Sequence, residues 1–322
     1  MITCGNKKSI PQLKLDDYYK TDSLLGFGAY SKVKLAIEIS TGKNYAIKII
    51  DSIYHNSKVK NKYLKRELDV LEKISHNNII KYYNSATFLL ENDIGYFELH
   101  DCILLEYAEN GSLFDYILLD KKGFTERIAK SIFVQIINGL ESLHSVGLAH
   151  GDLKIENILF LCDWTVKLCD FGNSYSLGSK NIDVKEGTTK TYCPPEIWGG
   201  DFTEILKSTS DIFSCGIILF VLVTGHFPFL EPTNNDFFFR RMKTKKSSGI
   251  WDIYKEKTNI FDGINISNEF KELFISLVHS DPKDRLSLEE IKKCKWLSTD
   301  MAGPNEVIPE LERRKKYIMR YK

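Results

Sequence analysis

Asp152, Lys154, Asn157 and Asp170 place a carboxylate, a lysine, an amide and a second carboxylate in the order and spacing that phosphoryl transfer from ATP calls for. They stand in His150-Gly151-Asp152-Leu153-Lys154-Ile155-Glu156-Asn157 and in Asp170-Phe171-Gly172. The transition state of such a transfer is loose and its charge is spread over oxygens, so a protein contributes mainly position and neutralisation. A hard cation bridging the phosphates wants oxygen ligands in a near-octahedral shell, and one amide, one carboxylate, phosphates and water can supply them. Each residue alone is most often a solvated loop residue. The information lies in the joint pattern, with Asp170 thirteen positions after Asn157.

The elements that must position these groups can be read on either side. Upstream, Leu24-Leu25-Gly26-Phe27-Gly28-Ala29-Tyr30-Ser31-Lys32-Val33 reads as strand, glycine turn and strand. Glycine is needed where a backbone must approach phosphate oxygens and leave its amides pointing at them. Tyr45-Ala46-Ile47-Lys48-Ile49 is an apolar strand with one lysine, whose charge requires a partner. The candidate is Glu67, in a helical segment from Tyr63 to Leu71 where Leu64, Leu68 and Leu71 are spaced to form a buried stripe. Cys102 to Ala108 reads as a strand running into a linker. Helices dominate from Leu113, including an amphipathic one from about Thr125 to Ser145, and the apolar run from Cys215 to Thr224 reads as a buried helix.

Together these motifs resemble the eukaryotic protein kinase family of serine/threonine type, across almost the whole chain, and more loosely its calcium/calmodulin-dependent kinase-like group. The resemblance implies an α+β, two-lobed fold. Its small β-rich N-lobe with one main helix covers about 18–107, and its larger, mostly helical C-lobe about 108–297. Residues 1–17 are then an N-terminal leader and 298–322 a basic, helical C-terminal tail. It implies ATP and Mg2+ as cofactors and a protein substrate with a Ser/Thr acceptor. Asp152 would accept or orient the proton of the substrate hydroxyl, Lys154 would reach the transferring phosphate, and Asn157 and Asp170 would share the magnesium ions. Leu25, Gly26, Gly28, Val33 and Ala46 would cover the nucleotide, with Leu159 beneath the adenine. Lys48, paired to Glu67, would hold the first two phosphates, and backbone groups of Glu106 and Ala108 would bond the adenine edge, with Leu105 guarding the back of the pocket.

Downstream, Gly187 to Glu196 resembles the segment that closes the activation loop and receives the peptide. Glu196 would pair with Arg285, and Asp211 would accept hydrogen bonds from the catalytic-loop backbone. Lys154, and Thr189 seven residues before Glu196, fit the serine/threonine type. Two positions depart from the family pattern: Ser31 replaces its third glycine, and Gly151 stands where most members carry an arginine that binds an activation-loop phosphate. Phosphorylation of Ser174, Ser176, Ser179, Thr188, Thr189 or Thr191 is therefore not expected to switch activity on by that route. Ser112 and Val221 stand where arginine-directed members carry glutamates, so no strong preference for arginine before the acceptor is expected.

Bulk properties agree. Forty-four basic and forty-three acidic residues leave a net charge of +1, which argues against a dominant nucleic-acid or membrane-surface role. The seven cysteines are scattered, odd in number and lack any C-x-x-C pair, the usage of a reducing compartment. No segment reaches the roughly 20 apolar residues of a membrane span. The N-terminus lacks a secretory signal, so a cytoplasmic or nuclear location is expected. The charge run near the C-terminus reads first as a solvated face, and second as a docking or autoregulatory element for a regulatory partner. Two rival classes share the motifs: a nucleotide-binding pseudokinase or scaffold, against which Lys48, Asp152, Asn157 and Asp170 all stand, and a small-molecule kinase, against which the Gly187–Glu196 segment stands.

Overall fold

The computed structural model describes residues 18–28, 30–50, 58–91, 97–118, 122–178, 189–199, 207–243, 249–261 and 263–321. The leader read from the sequence lies outside them. The chain divides into two compact units, one of Met1–Asn61 with Lys81–Tyr107 and one of Lys62–Ile80 with Ala108–Lys322.

The smaller unit is built on an antiparallel sheet of β1 (Tyr18–Gly28), β2 (Ser31–Glu38), β3 (Asn44–Ile50), β4 (Tyr82–Glu91) and β5 (Phe97–Glu106), in the order β1-β2-β3-β5-β4. Alternation sends Tyr45, Ile47 and Ile49 of β3 to one face, where they meet Ala36, Phe88, Leu90, Cys102 and Leu104. The opposite residues of β3, Ala46, Lys48 and Ile50, are buried as well. That explains why this strand reads as one continuous apolar run with a single charge in it. The register shifts between Leu24 and Gly26, where β1 turns toward its tight connection to β2.

The helix α1 (Lys58–Leu71) belongs to the larger unit from Lys62 onward and is followed by a loop that joins a small sheet: Leu168 N–H donates to Asn78 O and Ile80 N–H to Leu168 O, both at 2.9 Å. The phase of α1 differs from the leucine stripe expected. Glu67, Val70 and Leu71 are buried, whereas Leu64 and Leu68 are only half-covered. The helix turns its Tyr63–Glu67–Val70 face inward and leaves two leucines on its flanks. A 3.6-residue period fixes that a face exists, not which of two adjacent stripes is the more deeply buried.

Next come α2 (Leu113–Leu118), α3 (Glu126–Ser145), β6 (Leu148–Ala149), β7 (Ile158–Phe160), β8 (Val166–Leu168), β9 (Tyr175–Ser176), α4 (Pro195–Gly199) and α5 (Lys207–Thr224). The rest is α6 (Phe237–Met242), α7 (Ile250–Lys257), α8 (Asn268–Leu277), α9 (Leu288–Lys292), α10 (Lys295–Ser298) and α11 (Pro304–Tyr321). Thr125 caps α3 by accepting from Ile128 N–H, and Ile128, Ile132, Phe133, Ile136, Leu140 and Leu143 repeat at helical spacing on its buried side. Residues 211–223 of α5 are all buried, and from Cys215 to Val223 the helix carries no polar side chain, so it lies inside the core of the unit. Full burial of one such Leu, Ile or Phe side chain contributes about 1.5–3 kcal/mol. No helix among the described residues is long and apolar enough to cross a membrane.

The C-terminal residues depart from the solvated face read first from their charges. Leu311, Arg314 and Ile318 of α11, spaced three and four apart, form its buried stripe. Arg314 Nη1 donates to Tyr116 O and Lys122 O at 3.0 and 2.7 Å, and Nη2 to Gly123 O at 2.6 Å. Its guanidinium lies 3.8 Å from the centre of the Phe124 ring. Lys315 Nζ reaches Asn110 Oδ1 at 2.6 Å. Charge is buried here because three main-chain carbonyls and Glu310 satisfy it.

Candidate active site

The two acidic stretches are brought together by a hairpin. β6 delivers the chain to residues 150–154, a short 3-10 turn spans Ile155–Asn157, and β7 and β8 then fold back with Ile158 opposite Leu168. This register sets Asn157 beside Cys169, whose N–H donates to Asn157 O at 3.0 Å. Asp170 follows directly. The thirteen-position spacing is thus the length of one hairpin.

Asp152, Lys154 and Thr189 form one cluster. Lys154 Nζ donates to Asp152 Oδ2 at 2.6 Å and to Thr189 Oγ1 at 2.9 Å, and Thr189 N–H donates to Asp152 Oδ1 at 3.1 Å. A carboxylate held at both oxygens beside a cation has one orientation and a local charge balance. Asn157 Nδ2 donates to Asp152 O at 2.9 Å, which makes its amide oxygen the atom suited to a ligand. Asp170 has a φ of +64°, a left-handed conformation uncommon outside glycine. Among the described residues no three His, Cys, Asp or Glu side chains gather as a metal cage. One amide oxygen and one carboxylate fit Mg2+, which keeps waters and takes substrate phosphates rather than a full protein shell.

The loop that carries Asp152 is braced by α5. Asp211 of α5 accepts from His150 N–H at 2.9 Å and Gly151 N–H at 3.0 Å, and bonds His144 Nε2 at 2.9 Å. Burial alone would raise its carboxyl, but the hydrogen bonds and the His144 and His150 charges leave it below its ordinary value. His150 Nε2 lies 3.2 Å from Cys169 O, and its ring packs on Phe171 at 5.2 Å. Burial pushes the neighbouring Glu156 carboxyl up, against its own backbone amide and Lys154. Glu196 and Arg285 form a bidentate pair at 2.6 and 2.7 Å, and Arg285 also donates to Thr209 O and His279 O.

Of the other positions singled out in the sequence, Ala108, Leu159 and Glu67 belong to the larger unit, where Glu67 is 1% exposed. Leu25, Gly26, Gly28, Val33, Ala46, Lys48 and Glu106 belong to the smaller one. There Lys48 stands opposite Val33 on one side and Ile103 on the other, Ala46 opposite Leu105, and Glu106 opposite Tyr45. Lys48 is 4% exposed. Sequence reasoning missed Tyr63, whose hydroxyl donates to Asp170 Oδ1 at 2.5 Å. Its signal was available: it stands one helical turn before Glu67, on the same face.

Comparison with known proteins gives a concordant result. Residues 19–297 match the family model described as protein kinase domain. A human protein named SNF-related serine/threonine-protein kinase is 32% identical over 287 residues, 88% of this chain and 34% of its own length. An Arabidopsis thaliana protein named SNF1-related protein kinase catalytic subunit alpha KIN12 is 30% identical over 287 residues, 88% of this chain and 52% of its own. The CBL-interacting protein kinase 26 of Oryza sativa is 33% identical over 285 residues, with the same two shares. The chain therefore spans between about a third and about half of the length of these relatives.

Proposed function

Because the chain belongs to the protein kinase domain family, we propose that it transfers the γ-phosphate of ATP to serine or threonine hydroxyls of proteins. The observation that carries this reading is the cluster of Asp152, Lys154 and Thr189, in which the lysine joins the carboxylate to the threonine. Asp152 orients and takes the acceptor proton, and Lys154 neutralises charge on the transferring phosphate. Magnesium, when bound, supplies Lewis-acid neutralisation of the nucleotide phosphates. Asn157 and Asp170 are the residues to hold it. In the smaller unit the residues assigned to the nucleotide are Leu25, Gly26, Gly28, Val33, Ala46, Lys48 and Glu106. In the larger unit they are Glu67, Ala108, Leu159 and Asp170. The burial of Lys48 and Glu67 supports functional over surface roles, since buried charges are retained where they are paired.

The reading extends to control. Gly151 has a φ of +78°, and a Cβ there would fall 2.3 Å from Asn173 O and 3.0 Å from Tyr175 Cε1. No side chain fits without moving backbone. Tyr175 instead hydrogen-bonds Ser210 Oγ at 2.6 Å, and Ala149 pairs with Tyr175 across β6 and β9. The start of the activation segment is thus held by packing and strand pairing, and the enzyme works without an arginine–phosphate clamp. Among the candidate phosphorylation sites, Ser174 is buried and Thr189 is engaged with Asp152; Ser179 and Thr188 lie outside the described residues. Val221 is buried in α5, so the position is not one that meets a peptide and the expectation about arginine rests on Ser112 alone.

The test is incubation of the full chain with Mg-ATP and a degenerate library of Ser, Thr and Tyr acceptor peptides, before and after phosphatase treatment. Transfer to Ser and Thr at an unchanged rate after dephosphorylation is the expected result. Transfer confined to Tyr, or activity abolished by phosphatase, would overturn it.

A further inference from the structure

Three contacts join α1 to the segment 170–174, all within the larger unit. Tyr63 donates its hydroxyl to Asp170 Oδ1 at 2.5 Å. Its ring lies so close to Gly172 that a Cβ there would fall 1.9, 2.0 and 2.3 Å from three ring atoms. One turn along, Arg66 O accepts from Ser174 Oγ at 3.4 Å. The helix therefore holds alternate residues 170, 172 and 174, and the smallness of Gly172 is what admits the aromatic ring.

Packing alone explains a ring at position 63, and phenylalanine would satisfy it. It does not explain a hydroxyl aimed at the carboxylate. A phenol is a neutral donor, so it fixes one carboxylate oxygen without bringing a positive charge that would compete with a bound cation. Asp170 also sits at a φ of +64°, a conformation that persists only where the surroundings over-determine it. The Tyr63 bond at one end and the ring against Gly172 at the other are such surroundings.

We propose that Tyr63 is a positioning residue that holds the Asp170 carboxylate in the orientation required to bind magnesium. The proposal rests on the reading of Asp170 as a magnesium ligand. It makes α1 part of the metal site: displacement of the helix removes the bond to Asp170 and weakens the cation's hold.

The experiment is a titration of Mg2+ at fixed, saturating ATP, following the melting temperature of the 322-residue chain and of its Tyr63→Phe variant. The substitution keeps the ring and removes the donor. Loss of a hydrogen bond to a charged group predicts a magnesium midpoint about tenfold higher for the variant. Its melting temperature without nucleotide falls with the loss of the bond, so each midpoint is read against that protein's own nucleotide-free baseline. In turnover the same variant raises the KM for magnesium with kcat unchanged at saturation. An unchanged midpoint overturns the proposal, whether or not the variant melts early, since Tyr63 is then structural only. A lower midpoint overturns it too, and makes Tyr63 a competitor for the carboxylate. Absence of any magnesium-dependent stabilisation by ATP in the wild type overturns the assignment of Asp170 itself, a result distinguishable from the other two.

Discussion

Two adjacent arginines of α11 differ sharply in what their removal should cost. Arg313 has 56% of its side chain exposed and pairs with Glu310 at 2.8 Å. Arg314, at 3%, makes three bonds to main-chain carbonyls, one to Glu310, and lies on the Phe124 ring. An exposed pair is worth about 0–1 kcal/mol, because water and salt screen it. Deleting Arg314 leaves the carbonyls of Tyr116, Lys122 and Gly123 without their donor and opens space beneath the helix. Hydrogen bonds to charged groups contribute about 1.5–3 kcal/mol each and do not add simply. The expected loss for Arg314→Ala is therefore about 3–5 kcal/mol, from three buried carbonyls left without a donor together with the lost packing on Phe124. Urea denaturation of Arg313→Ala, Arg314→Ala and Arg314→Lys, with the wild type, measures these differences directly. Lysine should recover only part of the loss, because an ammonium cannot reproduce the planar fork. If Arg314→Ala lay within about 1 kcal/mol of Arg313→Ala, the burial argument would be refuted.

Other expectations follow from the same geometry. Arg285→Ala should cost about 3–5 kcal/mol by stranding the buried Glu196 carboxylate, while replacing both partners with apolar residues should cost less; a double-mutant cycle read by denaturation checks this. Arg313 foremost, with Arg314, holds the Glu310 carboxyl down to about 2 from its ordinary value of 4.5. A carboxyl depressed in the folded state contributes stability that is present above about pH 4.5 and lost as pH falls toward 2, so Glu310→Gln should flatten the acid limb of a stability–pH curve over that window. Gly151→Arg should lower the melting temperature and fail to create phosphate-dependent activity, because the position is left-handed and closed by Asn173 and Tyr175.

The sequence was legible where side-chain chemistry itself carries the signal. The resemblance to the protein kinase family implied the roles of Asp152, Lys154, Asn157 and Asp170, and it implied the Glu196–Arg285 pair and the bracing Asp211, both of which the structure forms. The ends of α3 were legible from the residues themselves, as Thr125 caps it and apolar residues recur through it. Arg314 was not legible, because its partners are main-chain carbonyls, which any residue supplies and no sequence marks. The inward face of α1 was misplaced because the charged Glu67 is buried with Val70 and Leu71, whereas Leu64 and Leu68 of the expected stripe sit half-covered. Tyr63 went unnoticed because a tyrosine on a helix reads as packing until Gly172 and Asp170 are seen beside it.

The central claim is that Asp152 carries chemistry and not architecture alone. The most direct measurement is the rate of γ-phosphate transfer from Mg-ATP to a Ser/Thr peptide by the wild type and by Asp152→Ala, with ATP-dependent melting recorded for both. Loss of a positioned base predicts a fall in kcat of about 10²–10⁴-fold, with stabilisation by Mg-ATP retained. Equal transfer rates in the two proteins, or no transfer by a wild type that binds Mg-ATP, would contradict the account; the second result would make the chain a nucleotide-binding scaffold.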